Sequence, residues 1–226
     1  MSKHIVSFSG GKDSTAMLLM MIERDMPIDE IVFCDTGVEF PEMYEHIEKV
    51  KEYTKLDITV LKPQHTFEHY LGHIVKVKGK FKGEKGYGWT GHNFRWCTNL
   101  MKIRPSDKYF KNKDVILYIG IAKDEENRTN RKEYSKRKVL FPLVDFNITE
   151  KQALDYCYDR GFDWGGLYNQ TKRVSCWLCP LQPIASLRSL YNNQPELWAE
   201  LKRLDKLSYR QFRSDYSVDQ LEEKFK

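Results

Sequence analysis

The chain has 226 residues, 41% of them hydrophobic and 13% aromatic, and a formal net charge of +5. That is enough apolar material for a sizeable core, which excludes global disorder, while the longest apolar run, Ala16 to Ile22, is far too short to cross a bilayer. Five scattered cysteines argue against a disulfide framework, and Met1-Ser2-Lys3 leads into the first strand without a secretory pattern, so a reducing, cytoplasmic location is expected.

In chain order, His4 to Phe8 reads as a short buried strand and Ala16 to Ile22 as part of a helix. Between them lies Ser9-Gly10-Gly11-Lys12-Asp13-Ser14-Thr15. Two glycines permit a tight bend and a close backbone approach, the helix start offers unpaired N–H groups and hydroxyls, and Lys12 adds positive charge. Each feature favours a phosphate. The common phosphate-loop pattern is absent, because Asp13 stands where a hydroxyl residue belongs.

Residues 30–35 form a second strand ending at Asp35-Thr36-Gly37, and an amphipathic helix follows from Pro41 to Tyr53. Residues 57–61 form a third strand. This alternation predicts a parallel sheet with helices on both faces, whose ligands sit beyond the carboxyl ends of the strands. A helix over 66–75 places His69 and His73 one turn apart, a spacing that suits a metal or an ordinary surface pair. The Lys- and Gly-rich stretch 78–92 holds Tyr87 and Trp89, with Trp96 just beyond, faces that either stack on a base or pin the loop to the core. A helix over 95–110 ends or breaks near Pro105. Residues 115–121 form a strand, 124–138 a charged loop, 139–143 an extended piece, and Thr149 opens a helix with a capping box to Gln152. Past Gly165 the strand pattern is lost, giving a turn with Cys176 and Cys179 and helices near 184–191, 195–209 and 217–225. Basic clusters fall at Lys76, Lys78, Lys80, Lys82 and Lys85, and at Arg128, Arg131, Lys132, Lys136, Arg137 and Lys138; each suits phosphates or is a solvated loop.

The Ser-Gly-Gly-x-Asp-Ser string at residues 9–14 resembles the pyrophosphate loop of the adenine nucleotide α-hydrolase superfamily. Within it, Asp35-Thr36-Gly37 with Pro41-Glu42, Arg95-x-Cys97 with Lys102-x-x-Pro105, Gly120-Ile121 with Asp124-Glu125 and Arg128, and Phe141-Pro142-Leu143 are similar to successive motifs of phosphoadenosine phosphosulfate (PAPS) reductase-like proteins. Ala122 replaces an arginine of that pattern. The resemblance implies an α/β, Rossmann-like, mostly parallel sheet over residues 1–164 that binds nucleotide, and a helical C-terminal region over 165–226 carrying Cys176-x-x-Cys179.

The same resemblance implies roles. Lys12, Asp13 and Arg128 would be catalytic, and Ser7, Ser9, Gly10, Gly11, Ser14, Phe33, Asp35, Thr36, Gly37, Lys102, Arg104 and Gly120 would bind nucleotide. Asp13, with Asp35, would share magnesium. From the residues themselves, Cys97, Cys176 and Cys179 suit a [4Fe–4S] cluster with one iron left open, or zinc with a fourth ligand such as His92, while Cys176-x-x-Cys179 also reads as a redox pair or two buried thiols. The tandem cysteines of cluster-bearing sulfonucleotide reductases are absent, since Thr98 follows Cys97. Beyond Cys179 the sequence has no cysteine to attack a sulfate sulfur, so an ATP pyrophosphatase that adenylates an acceptor is expected first. A sulfonucleotide reductase and a nucleotide-binding partner subunit without turnover are the other two readings. The expected partners are an adenine nucleotide, a nucleic acid or a sulfur-donor protein, and a second copy in a homodimer, with no membrane.

Overall fold

The computed structural model describes residues 2–79, 82–130, 134, 135, 137–174 and 176–226. They divide into two compact units. The first comprises Met1–Cys34, Pro41–Leu61 and Ser106–Leu167, and the second Asp35–Phe40, Lys62–Pro105 and Tyr168–Lys226. Two stretches from the N-terminal half, Asp35–Phe40 and Lys62–Pro105, group with the C-terminal residues.

The first unit is built on a five-stranded parallel sheet of order β3-β2-β1-β4-β5. Its strands are β1 (Lys3–Phe8), β2 (Glu30–Cys34), β3 (Ile58–Leu61), β4 (Val115–Ile119) and β5 (Lys138–Leu140). β1 lies at the centre, pairing Val6 with Ile31 on one side and with Tyr118 on the other. The order reverses between β1 and β4, the switch point at which a doubly wound sheet opens a crevice. On one part of the sheet Ile5, Val32, Phe110 and Val115 form a buried cluster.

Helix α1 (Lys12–Glu23) begins four residues before the expected apolar run, because the loop residues themselves form its first turn. Every residue from Ser14 to Met21 is buried, so α1 is an interior helix rather than an amphipathic one. Helix α2 (Pro41–Thr54) buries Met43, His46, Ile47 and Val50 at helical spacing. Helix α3 (Glu150–Tyr158) packs against α1 and starts with the predicted capping box, the Thr149 hydroxyl and Gln152 satisfying each other's backbone N–H groups. Part of the expected charged loop forms a 3₁₀ turn over Lys123–Asn130. Arg131, Lys132 and Lys136 of the second basic cluster, and Lys80 of the first, lie outside the described residues.

The second unit is helical, with α4 (Ile184–Asn193), α5 (Pro195–Asp205) and α6 (Val218–Phe225) near the predicted positions. The predicted helix at 66–75 is reduced to a short wide turn, His69–His73. The helix expected over 95–110 is interrupted just before Pro105 rather than ended there. Trp96–Thr98 is helical, Asn99–Ile103 widens to a π turn, and Arg104–Tyr109 continues as α-helix. Proline lacks the N–H and its ring collides with the carbonyl four residues back; a wider turn directly before it relieves both problems. Among the described residues no helix is long and apolar enough to cross a membrane.

Loss of the Thr149 cap in Thr149→Ala is expected to cost about 1 kcal/mol of stability. Urea unfolding should show a lower midpoint at an unchanged slope.

Candidate nucleotide site

The turn after β1 is held by its own side chains. The Ser9 N–H donates to Ser14 Oγ at 3.2 Å, the two serine hydroxyls lie 3.0 Å apart, and Ser14 Oγ donates to the Gly11 carbonyl at 3.0 Å. Gly10 has φ +77°, which strains any other residue, and a Cβ there would sit 2.5 Å from Met43 Sδ and displace that side chain. Opposite, at the end of β4, a Cβ on Gly120 would lie 2.8 Å from the Ser14 backbone nitrogen and 2.9 Å from the Asp13 carbonyl. Gly120 therefore lets the end of β4 close on the first turn of α1 at the switch point, beside that helix's first N–H groups.

Lys12 is only 5% exposed. Its ammonium contacts Asp13 at 3.0 Å and Glu150 at 2.8 Å, and Arg128 pairs with Glu125. Ligand oxygens of Asp13, Glu125 and Glu150 all lie within 4.8 Å of one another, a spacing at which carboxylates share a divalent ion. Burial pushes the Asp13 carboxyl above its ordinary range; Lys12 opposes that shift, and Glu150 and Glu125 add to it. Glu125 belongs to the quoted Asp-Glu motif and Glu150 to the start of α3, yet neither was expected to face Asp13. Their meeting depends on helix packing that no local pattern encodes.

A second support was also missed. The Trp164 indole N–H donates to the Gly10 carbonyl at 2.7 Å, and His46 stacks on the same indole with ring centroids 4.2 Å apart. His46 also meets the Thr15 hydroxyl at 2.9 Å. Trp164 holds φ +51°, an uncommon backbone for a bulky residue, at the point where it braces the loop. Behind α1, Cys157 is fully buried and its thiol is pushed up to about 12, which makes it an inert packing residue.

Ser7 and Phe33 lie in β1 and β2 of this unit. Asp35, Thr36, Gly37, Lys102, Arg104 and the three motif cysteines belong to the second unit. There Asp35 Oδ1 accepts the Gly37 N–H at 2.8 Å, and Asp35, Thr36 and Gly37 line a cavity of about 680 Å³ with Val38, Lys62 and Trp177. Glu39, only 8% exposed and absent from the sequence reading, accepts the Thr36 hydroxyl at 3.0 Å. It also meets the Cys176 thiol and the Lys102 ammonium, each at 3.6 Å. Burial and then Glu39 drive the Cys176 thiol well above its ordinary range, and burial raises Cys179 too. Arg104 is exposed and donates to Asn99 at 3.1 Å.

The three thiols share a unit with soft donors, but among the described residues they do not form a set spaced for one ion, nor do His69 and His73. Trp89 and Trp96 are buried, their indole N–H groups bonded to Asp205 and the Gly88 carbonyl, so they pin the loop and offer no stacking face. In the second basic cluster Arg137 pairs with Asp107 at 2.9 Å, as Arg128 does with Glu125.

Residues 3–182 match the model of the phosphoadenosine phosphosulfate reductase domain family. An uncharacterized protein of Methanocaldococcus jannaschii is 27% identical over 214 residues, 86% of this chain and 39% of that protein. Adenosine 5'-phosphosulfate reductase 2 of Bacillus subtilis is 30% identical over 171 residues, 73% of this chain and 67% of that enzyme. The chain thus spans about two fifths of the first of these relatives. The crystal structure of PAPS reductase from Candida auris, a phosphate complex, shares the fold with a TM-score of 0.52 at 18% identity, over 76% of this chain and 81% of that one.

Two outcomes are expected. If this site takes nucleotide, Gly120→Ala should weaken that binding about tenfold by pushing the first turn of α1 off β4, read by calorimetric titration. Burial lowers His46 from 6.5 to about 3, so the folded protein keeps it neutral while the unfolded chain takes up a proton; stability is lost as pH falls from about 6.5 towards 3. His46→Gln should flatten that dependence by up to about 1.4 kcal/mol per pH unit, measured by urea unfolding across the window.

Proposed function

Because the chain belongs to the phosphoadenosine phosphosulfate reductase domain family, a family of enzymes, we propose that it binds ATP at the Ser9–Ser14 loop and cleaves it at the α phosphate. The observation that carries this reading is the carboxylate trio beside Lys12. Asp13, Glu125 and Glu150 bring three negative charges against the two positive charges of Lys12 and Arg128, which leaves an anionic seat. A bare sulfonucleotide would be repelled there, whereas a triphosphate carried with magnesium supplies its own cation. The hard oxygen donors of the trio suit magnesium, which when bound offsets phosphate charge.

In this mechanism the first N–H groups of α1 and the Ser9 and Ser14 hydroxyls seat the outer phosphates. Lys12 and Arg128 neutralise charge as it shifts onto the leaving group. An acceptor oxygen attacks the α phosphorus, the bond from that phosphorus to the bridging oxygen breaks, and pyrophosphate departs with the electron pair. The acceptor is left adenylated, ready for displacement by sulfur or nitrogen from a donor. Nucleotide roles for Ser7, Gly10, Gly11, Phe33 and Gly120 of the first unit are part of the same proposal, and nucleotide roles for Asp35, Thr36, Gly37, Lys102 and Arg104 of the second unit are proposed separately.

The second reading is reduction of adenylyl sulfate or PAPS, and the relatives named adenosine 5'-phosphosulfate reductase favour it equally. Cys97, Cys176 and Cys179 are then the thiols of interest. A four-iron cluster, whose cysteines ligate separate irons, suits them better than one zinc ion.

The deciding experiment supplies ATP with magnesium in one arm, and adenylyl sulfate or PAPS with a thiol donor in the other. Pyrophosphate release in the first arm, lowered about 10²- to 10³-fold in Lys12→Ala and Asp13→Ala, supports the first reading. Sulfite in the second arm alone overturns it in favour of the reductase, and nucleotide binding with neither product leaves a binding subunit. Anaerobic protein is expected to be brown and to lose its iron in Cys97→Ala; colourless, iron-free protein removes the cluster without touching the nucleotide assignment.

A further inference from the structure

We propose that the second unit binds single-stranded nucleic acid along a basic ridge, with an unpaired base stacked on the exposed pair that Phe94 and Arg210 form. The proposal rests on that surface alone.

Residues 89–94, 180–181 and 210–215 enclose a cavity of about 650 Å³, room for a base and its sugar. Its floor is rigid. Trp89 and Phe212 are each 1% exposed and meet edge to face at 4.9 Å, and the Arg213 guanidinium is clamped to the Pro180 and Gln182 carbonyls at 2.6 and 2.7 Å. At the mouth the Arg210 guanidinium lies 5.0 Å from the centre of the Phe94 ring, and Phe94 is 37% exposed. A planar cation and a flat π face are the two surfaces on which an unstacked base settles. Asn93 and Gln211, both exposed on the same cavity, carry amide groups able to meet a base edge.

The ridge continues from Arg210 through its neighbour Tyr209, 59% exposed, to Lys76, whose ammonium stands 4.6 Å above the Tyr209 ring. Lys76 anchors a small arm. Its N–H donates to the Glu84 carbonyl at 2.9 Å, its own carbonyl accepts from Gly83 at 2.8 Å, and Val75 bridges Lys85 in antiparallel fashion. Lys78, Lys82 and Lys85 project from this arm and are exposed. Among the described residues no carboxylate pairs with them, or with Arg210 or Arg95, while Glu84 is engaged by Lys76 and Asp215 by Arg213. Cations that alternate with exposed rings and lack protein counter-charges complement a chain of phosphates that carries flat bases. A duplex hides those faces, and an acidic peptide does not have them.

The test is fluorescence anisotropy of the full chain with labelled single strands of about 15 nucleotides, RNA and DNA, across a salt series. Binding is expected with either sugar and should weaken as salt rises. Phe94→Ala and Arg210→Ala should each weaken it about tenfold, and Lys78→Ala with Lys82→Ala should lower the salt slope by about one. All four side chains are exposed, so circular dichroism should match the parent. No binding at low salt, unchanged binding in Phe94→Ala and Arg210→Ala, equal affinity for duplex or an abasic strand, or equal displacement by polyglutamate or a free mononucleotide each overturns the proposal. The assay reads binding rather than turnover, so a protein that cleaves ATP yet ignores the oligonucleotide rejects this inference and leaves the nucleotide reading standing.

Discussion

A lysine ammonium withdrawn from water at the start of an interior helix is the constraint on which the first unit turns. Desolvating a charge is expensive unless it is paired, and Lys12 is paired twice, by its neighbour Asp13 and by Glu150 from 138 residues away. The second contact requires α3 to lie against α1, and the Thr149 cap fixes where α3 begins. Glu125 then closes the acidic set, with Arg128 alongside. Charge balance at one side chain thereby ties together the loop after β1, the turn after β4 and the start of α3. Those are the parts that a phosphate chain carrying a divalent ion needs in one place.

The loop is also braced from beneath. A glycine with positive φ, a tryptophan in an uncommon backbone conformation and a neutral buried histidine form one stack, Gly10–Trp164–His46, with Thr15 joined to the imidazole. Preorganisation of this kind lowers the ordering cost when a ligand arrives. The buried histidine remains uncharged because burial strips the water that would solvate its proton, and the nearby Lys49 adds to that cost.

Much of this was legible in the residues. The strand–loop–helix at the amino end, the alternation that gives a parallel sheet, and the Thr149 cap each depend on neighbours within a few positions, where backbone geometry restricts residue type. What escaped were contacts made across the chain. Glu150, Trp164, His46 and Glu39 carry no local signature, because an acid on a helix or a tryptophan after one has many ordinary uses. The aromatic residues near residue 90 kept two readings, stacking or pinning, for a related reason. Composition marks a ring but not its exposure, and burial took Trp89 and Trp96 while leaving Phe94 and Tyr209 at the surface. Pro105 differs in kind: its residue type marks a disturbed turn, but whether the chain ends the helix or widens the turn before it is settled only by packing.

That widened turn alters the angular bookkeeping of the segment. A regular helix advances about 100° per residue, and a π turn takes up roughly one additional residue before the backbone resumes its course. Side chains from Arg104 onward are therefore rotated about a third of a revolution from where a helical wheel drawn through Trp96 would set them, while Lys102 lies inside the turn itself. Spacing between the motif lysine and the proline consequently measures an azimuth as well as a distance. Shortening Asn99–Ile103 by one position would re-aim everything downstream without altering a single chemical group.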